Sequence, residues 1–188
     1  AGEKAVVETQ RAITRISGTY GHTTELIAAS LRHYNQLKTL AGTDLYTMPP
    51  KVAIEGRKNL DDNFRNMISE DYTPGLTADS KKCGIGKFWE VDPELEKISV
   101  ELGKTLPLKG IDLENRFRDA GFEDVFPVLS GDELAKIDSD GKIPLASRWE
   151  GKIEKGKLAP DTLLNLAGLY SFTADQAMLD KRIEEMIK

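Results

Sequence analysis

One cysteine, Cys83, and two histidines, His22 and His33, are all the thiol and imidazole metal ligands this sequence has. A single cysteine closes no disulfide within the chain, so the fold is expected to stand without one. A zinc site takes three or four protein ligands, and so few histidines and thiols leave no complete set. No apolar run approaches the ~18 residues of a membrane-spanning helix. There is no block of basic residues, no low-complexity tract and no internal repeat. The formal net charge of −5 is the wrong sign for a chain whose main partner is nucleic acid, because phosphate binding needs a basic patch.

What is present is an ordinary globular composition, with 39% hydrophobic and 30% charged residues. A chain of 188 residues can bury a real core in one or two domains. It opens at Ala1 with no signal-like apolar stretch, as expected of a mature form from which a targeting segment has been removed.

The periodicity is helical at both ends. Residues 3–16 read as a first helix, with Val6, Ile13 and Ile16 near one face, and Gly18 and Gly21 interrupt it. A second helix is expected from Thr23 or Thr24 to Leu40, with Ile27, Leu31 and Tyr34 at helical spacing and Gly42 as its stop. Pro49-Pro50 opens a third, running to about Glu70, with Ala53, Leu60, Phe64, Met67 and Ile68 inward. At the far end, Asp161 or Ala159-Pro160 begins a helix carrying Leu163, Leu166 and Tyr170. A final helix is expected from Thr173, with Leu179, Ile183 and Met186 or Ile187 on one side.

Residues 74–158 differ. They hold both tryptophans, the cysteine and five of the eight prolines. Short helices are expected here. Asp92-Pro93-Glu94 combines a capping side chain, a first-turn proline and an acid at the helix dipole. Leu113 to Ala120 is a second, ending before Gly121. Ser130-Gly131-Asp132-Glu133 has the capping-box pattern for a third. A structureless loop of this length is rare in a compact domain, so the segment is expected to be a folded insertion or an arm lying on a partner.

Two end blocks carry a family resemblance. Tyr20, Thr24, Leu31-Arg32 and Arg57-Lys58-Asn59-Leu60-Asp61-Asp62 form the first. Leu166-Ala167-Gly168-Leu169-Tyr170 forms the second and fits the pattern Leu-Ala-Gly-X-Tyr. In this order they resemble the family of small lumenal photosystem II assembly and repair factors, four-helix proteins that dock on the oxygen-evolving side of the complex. The likeness covers residues 20 to about 70 and 158–188, less than half the chain. Three departures accompany it. The middle segment has no counterpart in the family, the lipidated N-terminal cysteine of bacterial members is absent, and Asn66-Met67-Ile68-Ser69-Glu70 replaces an Arg-rich helix end. The long middle segment suits an algal relative, including a related extrinsic photosystem II subunit.

The resemblance implies an all-α fold. It would be a four-helix up-down bundle of residues 1–73 and 158–188, with an extra N-terminal helix and a long irregular insertion, 74–157, containing short helices. Leu31, Tyr34, Leu60, Phe64, Leu166 and Tyr170 would be buried together, and Gly168 would let two helices approach closely. It implies a non-catalytic protein of the plastid thylakoid lumen, with no cofactor and no metal of its own. Such a protein would bind the photosystem II core's lumenal loops and neighbouring extrinsic subunits, and would stabilise the water-oxidising region or assist its assembly. It would meet the membrane only through protein partners. Phe88, Trp89, Phe122, Phe126 and Trp149 are the candidate partner-binding residues, since aromatics dominate interface hot spots and these lie in the added segment.

Sharper chemical motifs do not assemble. Cys83-Gly84-Ile85-Gly86-Lys87-Phe88-Trp89 resembles the Cys-X-X-Gly-Lys-Trp segment of a zinc-binding domain attached to bacterial chemoreceptors, but no histidine follows it. A periplasmic helical sensor domain of a chemoreceptor is accordingly the alternative function. His22 and His33 would share a helical face if one helix covered both, and two solvated or capping histidines are the reading preferred. Asp138-Ser139-Asp140-Gly141 resembles part of a calcium loop, yet Lys136 and Ser147 fall on its first and twelfth positions, so a turn fits better. Gly84-Ile85-Gly86-Lys87 lacks the full phosphate-loop pattern. No nucleophile-base-acid set is evident.

Overall fold

The computed structural model describes residues 1–105 and 108–187. Leu106 and Pro107, within the expected insertion, and Lys188, at the end of the expected bundle, lie outside the described residues. The chain is all-α, with nine α-helices among the described residues and one short two-stranded sheet. Its contacts divide it into two compact units, residues 1–77 with 88–90, and 78–87 with 91 onward.

The first unit begins with α1, Gly2–Tyr20. Gly18 is accommodated inside it, and the helix stops at Gly21, whose left-handed φ of 72° turns its N–H onto the Ser17 carbonyl. Val7 and Gln10 are its buried residues. Next come β1, Ile27–Ala28; α2, Asn35–Thr39; β2, Leu45–Tyr46; and α3, Pro50–Asn59. The strands pair in parallel, Ile27 with Leu45 and Ala28 with Tyr46. Val7, Ala28, Leu31, Leu40, Val52 and Ile68 form the core, with Val6, Leu37, Tyr46 and Met48 packed against it.

The helix expected from residue 23 to 40 is replaced by this strand and the short α2. Gln10 explains the first half. Its Nε2 donates to Asp44 Oδ2 (2.9 Å), and its Oε1 accepts the Asp44 N–H (3.2 Å). Asp44 Oδ2 also accepts the Leu26 N–H (2.9 Å), which holds the chain extended where a helix would have begun. Ser30 then adopts a left-handed φ of 59°, closing off helix propagation. Chain reversal into α2 is held by Gln36, whose Oε1 accepts the N–H groups of Arg32 and His33 (2.8 and 3.1 Å). His22 and His33 therefore share no helical face.

The third helix also ends early. Leu60 is extended, and residues 61–70 return over α1 as a loop. Arg11 on α1 fastens that loop by donating to the carbonyls of Ile68 (2.5 Å) and Glu70 (2.7 Å). Gly42 has φ 106°, and a Cβ there would lie 2.3 Å from Asn66 Oδ1. Only glycine admits that approach, which lets Met67 N–H reach the Ala41 carbonyl (2.7 Å).

The second unit contains α4, Ala78–Lys82; α5, Pro93–Gly103; α6, Gly110–Asp119; α7, Gly131–Asp140; α8, Glu150–Ile153; and α9, Pro160–Ile187. Short 3₁₀ turns occupy Ile85–Phe88, whose last residue belongs to the first unit, and Ala146–Arg148. Asp92 caps α5 through the N–H groups of Glu94 and Leu95. Ser130 and Glu133 complete the capping box of α7. Ile137, Trp149, Leu158, Leu163 and Ala167 form the core, and Leu129, Ile153, Leu166 and Tyr170 pack on it.

Two expectations meet a different outcome here. Residues 160–187 are one helix, because Thr173 donates its hydroxyl back to the Leu169 carbonyl (2.9 Å) and continues the helix instead of capping a new one. The six residues expected to be buried together are distributed otherwise. Leu31 belongs to the first core, Leu166 and Tyr170 pack on the second, and Phe64 is 51% exposed. The physical reason is that α7 and Trp149, within the expected insertion, supply the apolar surface that Leu163 and Ala167 need. A Cβ on Gly168 would meet no atom within 4 Å, so this glycine is not used for a helix–helix approach.

Candidate binding surface

The five aromatic candidates are divided between the two units. Phe88 and Trp89 are half-buried and belong to the first unit. Trp149 is 2% exposed in the second core. Its Nε1 donates to Asp140 Oδ2 (2.8 Å), and Lys136 Nζ lies over its ring at 4.3 Å from the centroid. Arg148 also pairs with Asp140, whose side chain is 1% exposed. The turn seen in the sequence at Asp138–Gly141 is thus the end of α7, and Asp140 is a buried carboxylate shared by an indole and a guanidinium. An indole committed this way does not anchor a partner.

Phe122 and Phe126 lie together on the loop after α6. Gly121 reverses the chain with φ 94°, after which Phe122 N–H bonds the Phe117 carbonyl (3.0 Å) and Phe126 N–H the Phe122 carbonyl (3.1 Å). Phe126 stacks on buried Phe117 with ring centroids 4.7 Å apart. Arg118 reaches across the loop, its Nε donating to the Phe126 carbonyl (2.6 Å) and its terminal nitrogens to Asn115 (3.2 Å) and Glu114 (2.9 Å). Further bonds fix the other side. Ala159 N–H meets the Asp124 carbonyl (2.8 Å), the Thr162 hydroxyl meets the Val125 carbonyl (3.0 Å), and Lys87 pairs with Asp124 (3.1 Å).

This fixed loop forms one wall of a groove of about 400 Å³, lined by Arg118, Glu123, Phe126, Val128, Lys152 and Lys157. Val128 stands at its lip, 75% exposed. The groove offers apolar surface edged by three cations, each held by an acid: Arg118 by Glu114, Lys152 by Glu133 and Lys157 by Glu123. Lys152, and then the Ser130 N–H, hold the Glu133 carboxyl below its usual 4.5. The Lys157–Glu123 pair is exposed at both partners and individually weak, so an incoming carboxylate can exchange with it.

Cys83 lines a separate cleft of about 230 Å³ with Asp79, Lys82, Ser147, Glu150 and Glu154. Its lining residues include no histidine to act as a base, and no metal-holding group of three His, Cys, Asp or Glu side chains occurs among the described residues. Sequence reasoning missed Val128, Arg118 and Lys152. The signal available was Phe122-x-x-x-Phe126-Pro127-Val128, an apolar run after a glycine stop. The charged edge comes from chain positions brought together only by folding. No family model, curated protein or solved structure matches this chain.

Proposed function

We propose that this chain is a non-catalytic binding protein of the lumenal face of photosystem II, engaging its partner through the Phe126–Val128 groove. The observation that carries the reading is the groove itself: a backbone-locked aromatic loop, an exposed Val128 and a cationic edge. Pre-ordered apolar surface binds at lower entropic cost than a loop that must first be fixed. The surface suits an extended segment with an apolar side chain flanked by acids, with the charges setting orientation and the apolar contact setting strength. The end-block residues that resemble the lumenal assembly and repair factors support photosystem II as the source of that segment. In this role the protein would brace the water-oxidising region or its assembly.

The test is rebinding of the full chain to photosystem II membranes stripped of extrinsic proteins. Val128→Asp places a charge at an exposed position, so folding is untouched, and it is expected to weaken rebinding at least about tenfold. Wild-type rebinding by this variant would overturn the groove as the docking surface. Failure of the wild-type chain to rebind would overturn the choice of partner.

A further inference from the structure

From Phe172 to Ile187 every residue of α9 is exposed, yet this stretch carries large apolar side chains. Leu169, Phe172, Leu179, Ile183 and Met186 are 62%, 61%, 52%, 46% and 77% exposed. At about 100° per residue these five and Gln176 fall within one stripe about 100° wide. They alternate by three and four, which is the a/d seam of a helix pair with Gln176 as its polar member. The core-facing residues Leu163, Leu166, Ala167 and Tyr170 lie about 160° away around the helix axis. The helix therefore has two apolar faces, one packed in its own unit and one exposed, with Lys142 Nζ over the Phe172 ring at 4.9 Å from its centroid.

The flanks of the exposed stripe say what covers it. Asp175 and Arg182 border one edge; Thr173 and Asp180 border the other. In a parallel pair of α9 helices, Asp175 of one copy would face Asp180 of the other, twice. In an antiparallel pair like edges meet. Asp175 then faces Arg182 of the second copy, and Arg182 faces the second copy's Asp175. The same register matches the stripe layer by layer: Leu169 against Met186, Phe172 against Ile183, and Gln176 against Leu179, each occurring twice about a two-fold axis. Among the described residues neither Asp175 nor Arg182 has an ion pair within its own chain. The stripe is self-complementary in both shape order and charge, as a two-fold interface requires.

We infer that the C-terminal half of α9 is a homodimerisation surface on which two copies of this chain pair antiparallel. Gln176 keeps its amide satisfied within its own helix by donating to Asp180 Oδ1 (2.6 Å), and the Asp175–Arg182 pairs set the register. This pairing leaves the Phe126–Val128 groove outside the paired surface and does not depend on the proposed function.

The experiment is sedimentation equilibrium of the full chain over about 1–300 µM with three charge variants. The wild type is expected to dimerise reversibly. Asp175→Arg and Arg182→Asp each turn two attractions into two repulsions and are expected to weaken the dimer about tenfold. The double variant restores opposite charges and is expected to return to wild-type association. Leu179→Asp, at an exposed position, is expected to leave a folded monomer. A wild type that stays monomeric throughout overturns the inference. An Asp175→Arg variant that dimerises more tightly overturns the antiparallel arrangement, because in a parallel pair that change would relieve the clash with Asp180.

Discussion

Trp149 and Asp140 show how much of the second core rests on one polar contact. Asp140 is a carboxylate with a 1% exposed side chain, stabilised by the Trp149 indole N–H and the Arg148 guanidinium. Trp149→Phe keeps most of the ring volume but removes a donor from a buried charge. It is expected to cost about 1–3 kcal/mol, read as a lowered urea midpoint by circular dichroism. Neither partner was legible in the sequence. Asp138-Ser139-Asp140-Gly141 reads as a solvated turn, and nothing in the linear order says that a tryptophan nine residues on folds back over it. Gln10 is a similar case. It is a polar residue four after Val6 and three before Ile13, and nothing local says that it is 4% exposed or that its amide clamps Asp44, thirty-four residues on.

At the scale of elements, local chemistry predicted starts well and continuations poorly. Asp92-Pro93 and Ser130-x-x-Glu133 mark the entries of α5 and α7 because a cap is a contact within four residues, complete in the sequence. Gly21 ends α1 for the same kind of reason. Residues 23–40 failed because Ile27, Leu31 and Tyr34 satisfy a helical period and a strand-turn-helix path alike. The choice is made by Gln10 and Asp44, distant in the chain. The break expected at Thr173 failed because threonine can cap a helix or bond back inside one.

The α7 cap has a testable pH signature. Glu133 is held below its usual 4.5 by Lys152 and the Ser130 N–H, so it contributes stability when ionised. That contribution is present in full above about pH 4.5 and is lost as the pH falls through the lower folded value. Glu133→Gln removes the ion pair and is expected to cost about 0.5 kcal/mol at pH 7. The gap from wild type is expected to close below pH 4.5, followed by thermal unfolding across pH 3–7. A gap that stays constant with pH would show that the charge contributes nothing.

For the whole molecule, the sequence announced an all-helical chain but not its partition. The two ends look alike in regularity and invite pairing with each other. Their apolar faces are instead satisfied separately, Val7 among Ala28, Leu31 and Val52, and Leu163 among Ile137, Trp149 and Leu158. Periodicity reports that a face must be buried, never against what. Two cores without a common member should open separately. Leu163→Ala, at a 3% exposed position, is expected to cost about 2–5 kcal/mol in its own unit. Amide hydrogen exchange should quicken across 131–170 and stay near wild type at Val7, Leu40 and Val52. Equal acceleration in both units would show one cooperative core.

The placement of the two tryptophans gives the molecule a built-in pair of optical reporters. Trp89 is half-exposed in the first unit, and Trp149 is sealed in the second beside a carboxylate and under a lysine ammonium. Their emission should differ in colour, bluer for the sealed indole, and in quenching by iodide, which reaches only the outer one. Each unit thus carries its own native fluorophore, and the melting of either can be watched without attaching a dye.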